Sequence, residues 1–231
     1  MQWQFDSAPV WPKPIDNQAD KERIAEQLAQ RAEDGDVIGI GSGSTSFLAL
    51  LALAKRVHGE NLNILCVPTS HEIEGYCAQL GLPLTSLVSA APDWCFDGAD
   101  EIDADKNMIK GRGGAFVREQ LVFASAAKRV ILADPTKQVE RLGTVHPVPL
   151  GVVPEAINLV RRQCNELVGS EPVVRPAGGK DGGVINEEGL IVMDLPIDGS
   201  LPVAELEKTL LTIPGISASG LFVGYDYDLI T

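Results

Sequence analysis

At 231 residues the chain can form one large domain, or one α/β domain carrying a small second one. Its 45% hydrophobic and 22% charged content is that of a water-soluble globular enzyme. A net charge of −13 argues against nucleic acid and anionic membranes as partners, and it requires any anionic ligand to be held by a local site against the global field.

Residues 1–17 carry Trp3, Trp11 and three prolines but no basic run followed by an apolar one, so no signal peptide is expected. Residues 18–33 read as an amphipathic helix through Ile24, Ala25, Leu28 and Ala32, stopped by Gly35. A short buried strand follows at 37–40, then a Gly/Ser loop at 41–45 and a strongly apolar helix at 47–57. The longest apolar stretch, 47–54, is far too short to span a bilayer. Further strands are expected at 63–67, 94–96 and 129–133, and further helices from Ser70 to Leu80 and over 115–127. Strands that are apolar throughout and alternate with helices imply a parallel sheet covered on both faces.

After Val145 the texture changes, with Pro147, Pro149 and Pro154 marking a boundary. Helix 155–168, strand 172–175, a glycine-rich turn at 178–183, strand 190–195 and helix 202–211 fit a small α+β domain with an antiparallel sheet. Residues 221–223 are expected to return to the large sheet. The division expected is 18–145 with 216–231 for the large domain and 146–215 for the small one. Cys66, Cys77, Cys95 and Cys164 show neither CxxC pairing nor zinc spacing; they read as buried thiols, which suit a reducing cytoplasm.

Three clusters follow predicted strands, where open parallel sheets bind ligands. The first is Gly41-Ser42-Gly43-Ser44-Thr45, which offers backbone N–H groups and hydroxyls at a helix N-terminus and suits an anion. It is neither GxGxxG nor a P-loop, which disfavours NAD and ATP; its bland reading is a capped glycine turn. The second is Asp97-Gly98-Ala99-Asp100-Glu101-Ile102-Asp103, open to three readings: an exposed acidic turn, a magnesium site, or acid–base machinery. The third is Lys110-Gly111-Arg112-Gly113-Gly114-Ala115, with Arg118-Glu119 on the helix beyond. Its glycines allow close backbone approach to a ligand. Glu119 is either a base aimed into a pocket or a carboxylate that complements the helix dipole. A weaker element, Asp134-Pro135-Thr136-Lys137, offers a lysine for a phosphate or an ordinary turn.

In order and spacing these clusters resemble the type A ribose-5-phosphate isomerase family. Its pattern is a Gly-Thr-Gly-Ser-Thr loop, Asp-Gly-Ala-Asp-Glu, a Lys-Gly-Gly-Gly-Gly-Ala run with Arg-Glu downstream, and Asp-x-Ser/Thr-Lys. Gln138-Val139, Val152-Val153-Pro154, Ile213-Pro214-Gly215 and Gly220-Leu221-Phe222 extend the likeness, which spans roughly residues 21–222. The departures are Ser42 for the usual threonine, Arg112 within the glycine run, Asn186-Glu187-Glu188-Gly189-Leu190 for a Thr-Asp-Asn-Gly-Asn turn, and the glycine-rich insertion at 178–183.

The resemblance implies an α/β fold: a Rossmann-like parallel-sheet domain with an inserted small ferredoxin-like α+β lid. It implies an enzyme without metal or cofactor, cytoplasmic, and a homodimer or homotetramer. It makes Glu119 the base at C1 and C2, gives hydroxyl protons and ring opening to Asp97, and gives Asp100 and Lys110 the positioning of the sugar and the stabilising of the enediolate. Ser42, Gly43, Ser44, Thr45 and Lys137 then hold phosphate, with Lys21 an addition, and Gly111, Arg112, Gly113 and Gly114 line the substrate. The chemistry agrees, because aldose–ketose isomerisation needs a carboxylate base, a second proton handler and a cation near the developing oxyanion. The alternatives are an isomerase of another phosphorylated sugar, a non-catalytic sugar-phosphate-binding protein, and a coenzyme A transferase-like enzyme using its Glu as a nucleophile.

Overall fold

The computed structural model describes residues 9–199 and 201–231; Trp3 lies outside them. In chain order the elements are α1 (Gln18–Ala29), β1 (Val37–Ile40), α2 (Ser44–Glu60), β2 (Leu65–Pro68), α3 (His71–Gln79), β3 (Trp94–Gly98), β4 (Glu101–Ile102) and β5 (Met108–Ile109). There follow α4 (Phe116–Ser125), β6 (Lys128–Leu132), β7 (Val148–Val152), α5 (Ile157–Val168), β8 (Val173–Val174), β9 (Ile191–Leu195), α6 (Val203–Leu210), β10 (Ile216–Ser219), β11 (Leu221–Phe222) and β12 (Asp228–Ile230). By its packing the chain forms two units, one comprising Met1–Gly98, Arg118–Pro135 and Tyr227–Thr231, the other Ala99–Val117 and Thr136–Asp226. The division expected from sequence places its boundaries at 145/146 and 215/216; by packing, 99–117, 136–145 and 216–226 group with the second unit.

The first unit is built on a five-stranded sheet of order β12-β6-β3-β1-β2, parallel throughout. Read from the other edge this is the doubly wound order 2-1-3-4-5, whose switch point lies between its first and third strands, here β1 and β3. Ile24, Ala25 and Leu28 of α1 are buried at helical spacing, together with Phe47, Leu50, Leu53 and Val57 of α2 and Ile38, Ile40, Phe96 and Val130 of the sheet. Trp11 joins this core, its ring centroid 5.3 Å from Phe47 and 6.5 Å from Tyr76. α3 starts at Ser70, whose hydroxyl accepts the Ile73 N–H at 3.2 Å as an N-cap.

The second unit holds a four-stranded antiparallel sheet of order β10-β7-β9-β8. With α5 between β7 and β8 and α6 between β9 and β10, this is the βαββαβ arrangement of ferredoxin-like folds. A three-stranded sheet of order β11-β5-β4 completes the unit. One expectation is corrected here. Leu221 and Phe222 pair with Ile109 and Met108, not with the large sheet, which instead receives β12 alongside β6. Of the prolines after residue 145, Pro149 lies within β7, in the middle of the antiparallel sheet. The missing Pro149 N–H is tolerated because the neighbouring Gly220 carbonyl accepts from Lys110 N–H at 2.9 Å, while Gly220 N–H donates to Pro149 O at 2.7 Å.

All four cysteines are buried and unpaired by disulfides. Burial pushes the Cys164 thiol up to about 11, and Cys77 is raised by its hydrogen bond to Cys66 and by desolvation. Among the described residues no helix is long and apolar enough to cross a membrane.

One packing constraint is testable. A Cβ on Gly39 in β1 would sit 2.5 Å from both Cys95 Cβ and Val122 Cγ1, side-chain atoms of β3 and α4 with little freedom to move. Gly39→Ala is therefore expected to cost ~1–3 kcal/mol through overpacking. Urea unfolding checks this; an unchanged midpoint would show that α4 can shift away from the sheet.

Candidate active site

Parallel strands deliver their C-terminal ends to one edge, and in the first unit that edge carries the first cluster and Asp97. β1 ends at Ile40 and the chain turns through Gly41 and Gly43 into α2. A Cβ on Gly41 would lie 2.5 Å from the Asp97 carboxylate, so the glycine is what lets the loop after β1 pass against the end of β3 at the switch point. Gly43 has φ +94° and precedes the first residue of α2, leaving the N–H groups of the first helical turn, including those of Ser44 and Thr45, without partners in the helix. The Ser42 hydroxyl is 2.8 Å from Thr69 Oγ1 and donates to Ser70 Oγ at 2.9 Å, which ties the loop to the segment after β2. Lys21 on α1 reaches Ser44 Oγ at 3.3 Å.

Asp97 is 2% exposed. Its Oδ1 accepts the Gly98 N–H at 2.7 Å and the Ser46 hydroxyl at 3.4 Å. Glu119 lies in the first turns of α4 and is 6% exposed. Its neighbour Arg118 contacts His71 Nε2 at 3.4 Å, and His71 Nδ1 faces Glu74 at 3.0 Å. The sequence places His71 in no cluster; the fold brings it beside Arg118. Asp134, buried at the end of β6, completes the acidic groups of this unit.

In the second unit the remaining acidic residues sort by what they hold. Asp103 caps the β4–β5 turn, accepting Asn107 N–H at 2.8 Å and its side-chain amide at 2.9 Å. Glu101 has no exposed surface, and its two oxygens accept the N–H groups of Gly143, Val145 and His146, each at 2.6 Å. These two are structural. Asp100 is half-buried; its N–H donates to Ile109 O at 2.9 Å and its Oδ2 accepts the Arg112 N–H at 3.0 Å. Among the described residues no group of three His, Cys, Asp or Glu side chains is placed to hold a metal ion.

Lys110 follows β5 and is 3% exposed, its ammonium 5.5 Å from the centre of the Phe222 ring. The glycine run then forms a turn closed by Gly114 N–H to Gly111 O at 2.9 Å. Gly111 has φ +100°, and a Cβ there would meet Phe116 at 2.7 Å, so this position demands glycine. Arg112 is exposed with φ outside the left-handed region, which explains how an arginine can stand inside the run. Lys137, on the 3-10 turn Pro135–Lys137, is half-buried.

The clusters conceal several contributors. Thr69 and Ser70 anchor the loop 41–45 and Ser46 contacts Asp97. Arg175 donates to the carbonyls of Gly111 and Arg112. No spacing signal points to any of them, because each lies tens of residues from the cluster it supports.

The comparisons with known proteins agree with one another. The profile of the family Ribose 5-phosphate isomerase A (phosphoriboisomerase A) matches residues 65–231. The ribose-5-phosphate isomerase A of a Synechococcus species is 41% identical over 206 residues, covering 88% of each chain. That of Methanothermobacter thermautotrophicus is 37% identical over 204 residues, covering 88% of this chain and 89% of its own. Among solved structures, ribose 5-phosphate isomerase A from Methanocaldococcus jannaschii superposes with a TM-score of 0.88 at 35% identity, over 91% of this chain and 93% of that one. A D-ribose-5-phosphate isomerase in complex with phospho-erythronic acid gives 0.86 at 30% identity, over 90% and 91%. On sequence and on fold, the chain belongs to the ribose 5-phosphate isomerase A family.

Proposed function

We propose that this chain interconverts ribose 5-phosphate and ribulose 5-phosphate through an enediolate, with Glu119 as the base that carries the proton between C2 and C1. The observation that carries the assignment is where charge is buried. Among the described residues the buried charged side chains are Lys21, Asp97, Glu101, Lys110, Glu119 and Asp134. Each lies in one of the sequence clusters, apart from Lys21, which touches one. Burying a charge is costly unless partners compensate it, so such groups concentrate where chemistry needs them. With Glu101 taken by backbone donors, three acids (Asp97, Glu119 and Asp134) and two lysines (Lys21 and Lys110) remain, and of these Asp97, Glu119 and Lys110 are assigned to the reacting carbons and oxygens.

In the proposed reaction the Glu119 carboxylate takes the C2 proton of the open-chain aldose. The C–H electron pair forms the C1–C2 double bond, and negative charge moves to O1, where the Lys110 ammonium stabilises it. Asp97 transfers the hydroxyl proton between O2 and O1, and opens the sugar ring beforehand. Glu119 returns its proton to C1 as the C2 carbonyl forms. Asp100 orients the sugar, and Gly111, Arg112, Gly113 and Gly114 supply a close-approaching backbone wall. Phosphate is held by Ser42, Gly43, Ser44, Thr45 and Lys137, with Lys21. A solved relative is a complex with phospho-erythronic acid, and a helix N-terminus with Lys21 bonded to its first residue suits a ligand carrying phosphate. The enzyme is proposed to work without cofactor or metal, as a homodimer or homotetramer in the cytoplasm. Buried free thiols suit that compartment, and exposed apolar side chains such as Leu121 and Val173 suit an assembly.

Glu119→Gln keeps shape and helix preference while removing the proton acceptor. It is expected to cut kcat by about 10²–10⁴ with the melting temperature nearly unchanged. Exchange of the substrate C2 proton in heavy water is the direct readout; exchange at the parent rate would pass the role of base to Asp97. Lys137→Ala is expected mainly to raise KM for ribose 5-phosphate, by roughly 1.5–3 kcal/mol of charge-assisted binding, with a smaller loss of kcat because remote binding also orients the substrate. A parent-like KM would remove Lys137 from the phosphate site. Dialysis against EDTA is expected to leave turnover unchanged, because Lys110 supplies the positive charge and two of the clustered acids are committed to backbone. Activity lost to chelation and restored by magnesium or manganese would overturn this.

A further inference from the structure

The turn after Lys110 is gripped from both ends of one peptide unit. On one side the Gly111 carbonyl accepts from Arg175 Nη1 at 2.9 Å, and the same nitrogen reaches the Arg112 carbonyl at 2.9 Å. On the other side the N–H of that peptide, Arg112 N, donates to Asp100 Oδ2 at 3.0 Å. Behind Arg175 stands Asp194 of β9, which takes its Nε at 2.9 Å and its Nη2 in a two-pronged ion pair. The result is an alternating series: carboxylate, guanidinium, peptide dipole, carboxylate. Each link polarises the next in the favourable direction.

The guanidinium is itself held in place. Arg175 follows β8 directly, its N–H donates to Val192 O at 2.9 Å, and its carbonyl accepts Val184 N–H at 2.8 Å. Asp194 is paired across the sheet with Val173 on one side and Pro149 on the other. The fork therefore projects from rigid backbone, whereas the turn it grips contains glycines at φ +100° and +95° and would otherwise sample several conformations.

We infer that Arg175, aligned by Asp194, is a positioning residue that fixes the carboxylate of Asp100 through the Gly111–Arg112 peptide. The inference rests on the role proposed above for Asp100. Arg175 acts on the reaction only through that peptide, so its loss loosens Asp100 without removing any group that meets the sugar. A lysine cannot substitute, because one ammonium cannot make the two-pronged contact with Asp194 while bridging two carbonyls.

The test is a double-mutant cycle on the full chain, with kcat and KM for ribose 5-phosphate and thermal melting measured for each variant. Arg175→Lys is expected to lower kcat by about 10- to 100-fold, the scale of a small misplacement at a reacting centre, with KM changed much less. In an Asp100→Asn background the same substitution is expected to cost less than about 3-fold, because the group it positions is already disabled. Asp194→Asn, which leaves the guanidinium in place, should give a smaller loss with the same dependence on background, and it decides the question if Arg175→Lys does not melt cooperatively. Equal fold-losses in both backgrounds would overturn the inference while leaving Asp100 in the site. Unchanged turnover for Asp100→Asn alone would remove Asp100 from the site and the inference with it.

Discussion

A carboxylate removed from water must be given donors, and much of this molecule is arranged around that requirement. Glu101 is the clearest case: with no exposed surface it collects three backbone N–H groups from a loop forty residues onward. Those bonds tie residues 143–146 to the start of the β4–β5 hairpin, and the hairpin in turn sets the spacing between Asp100 and Lys110. The acidic run of residues 97–103 is thus a division of labour. Glu101 and Asp103 shape backbone, and Asp97 and Asp100 are the two proposed to meet the substrate.

The same economy governs Lys110. Pro149 gives β7 a position with no N–H, and the Gly220 carbonyl that such a group would have met binds the Lys110 N–H instead. A Cβ at Gly220 would lie 2.6 Å from Pro149 Cδ, so the pairing of a proline with a glycine is what admits the lysine backbone. A residue that looks like a strand breaker therefore creates the attachment point for a charged group proposed to act in the reaction.

Much of this was legible in the sequence, and the boundary of legibility is physical. The buried parallel strands β1, β3 and β6 and the helices α2, α4 and α5 carry long apolar runs or strong periodicity, and they lie within a few residues of expectation. β4 and β5 have two residues each, too short for any period to register, whereas the equally short β8 and β11 fall inside the expected stretches 172–175 and 221–223. β7 was masked by its prolines, since the exemption for Pro149 depends on Gly220, seventy residues away. The candidate catalytic residues could be read because they sit in compact ordered motifs. The supporting shell could not: Arg175 and Asp194 carry no local pattern, and the commitment of Glu101 to backbone depends on donors that only the fold brings near. Arg112 departs from the family's glycine run, and the backbone angles show that Gly111 and Gly114 carry the conformational demand there.

The order of the strands also bears on how the chain comes off the ribosome. The sheet of the first unit gains its edge strand β12 only when residues 228–230 arrive, and Ile230 belongs to that unit's core. The chain meanwhile leaves the first unit after Gly98, returns for Arg118–Pro135 and leaves again until Tyr227. Neither unit is a continuous stretch, so vectorial synthesis cannot complete one before most of the other has emerged. Until then β6 exposes an unpaired parallel edge, the kind of surface that makes partly made chains dependent on chaperones, and long-range parallel pairing of this sort is slow to form.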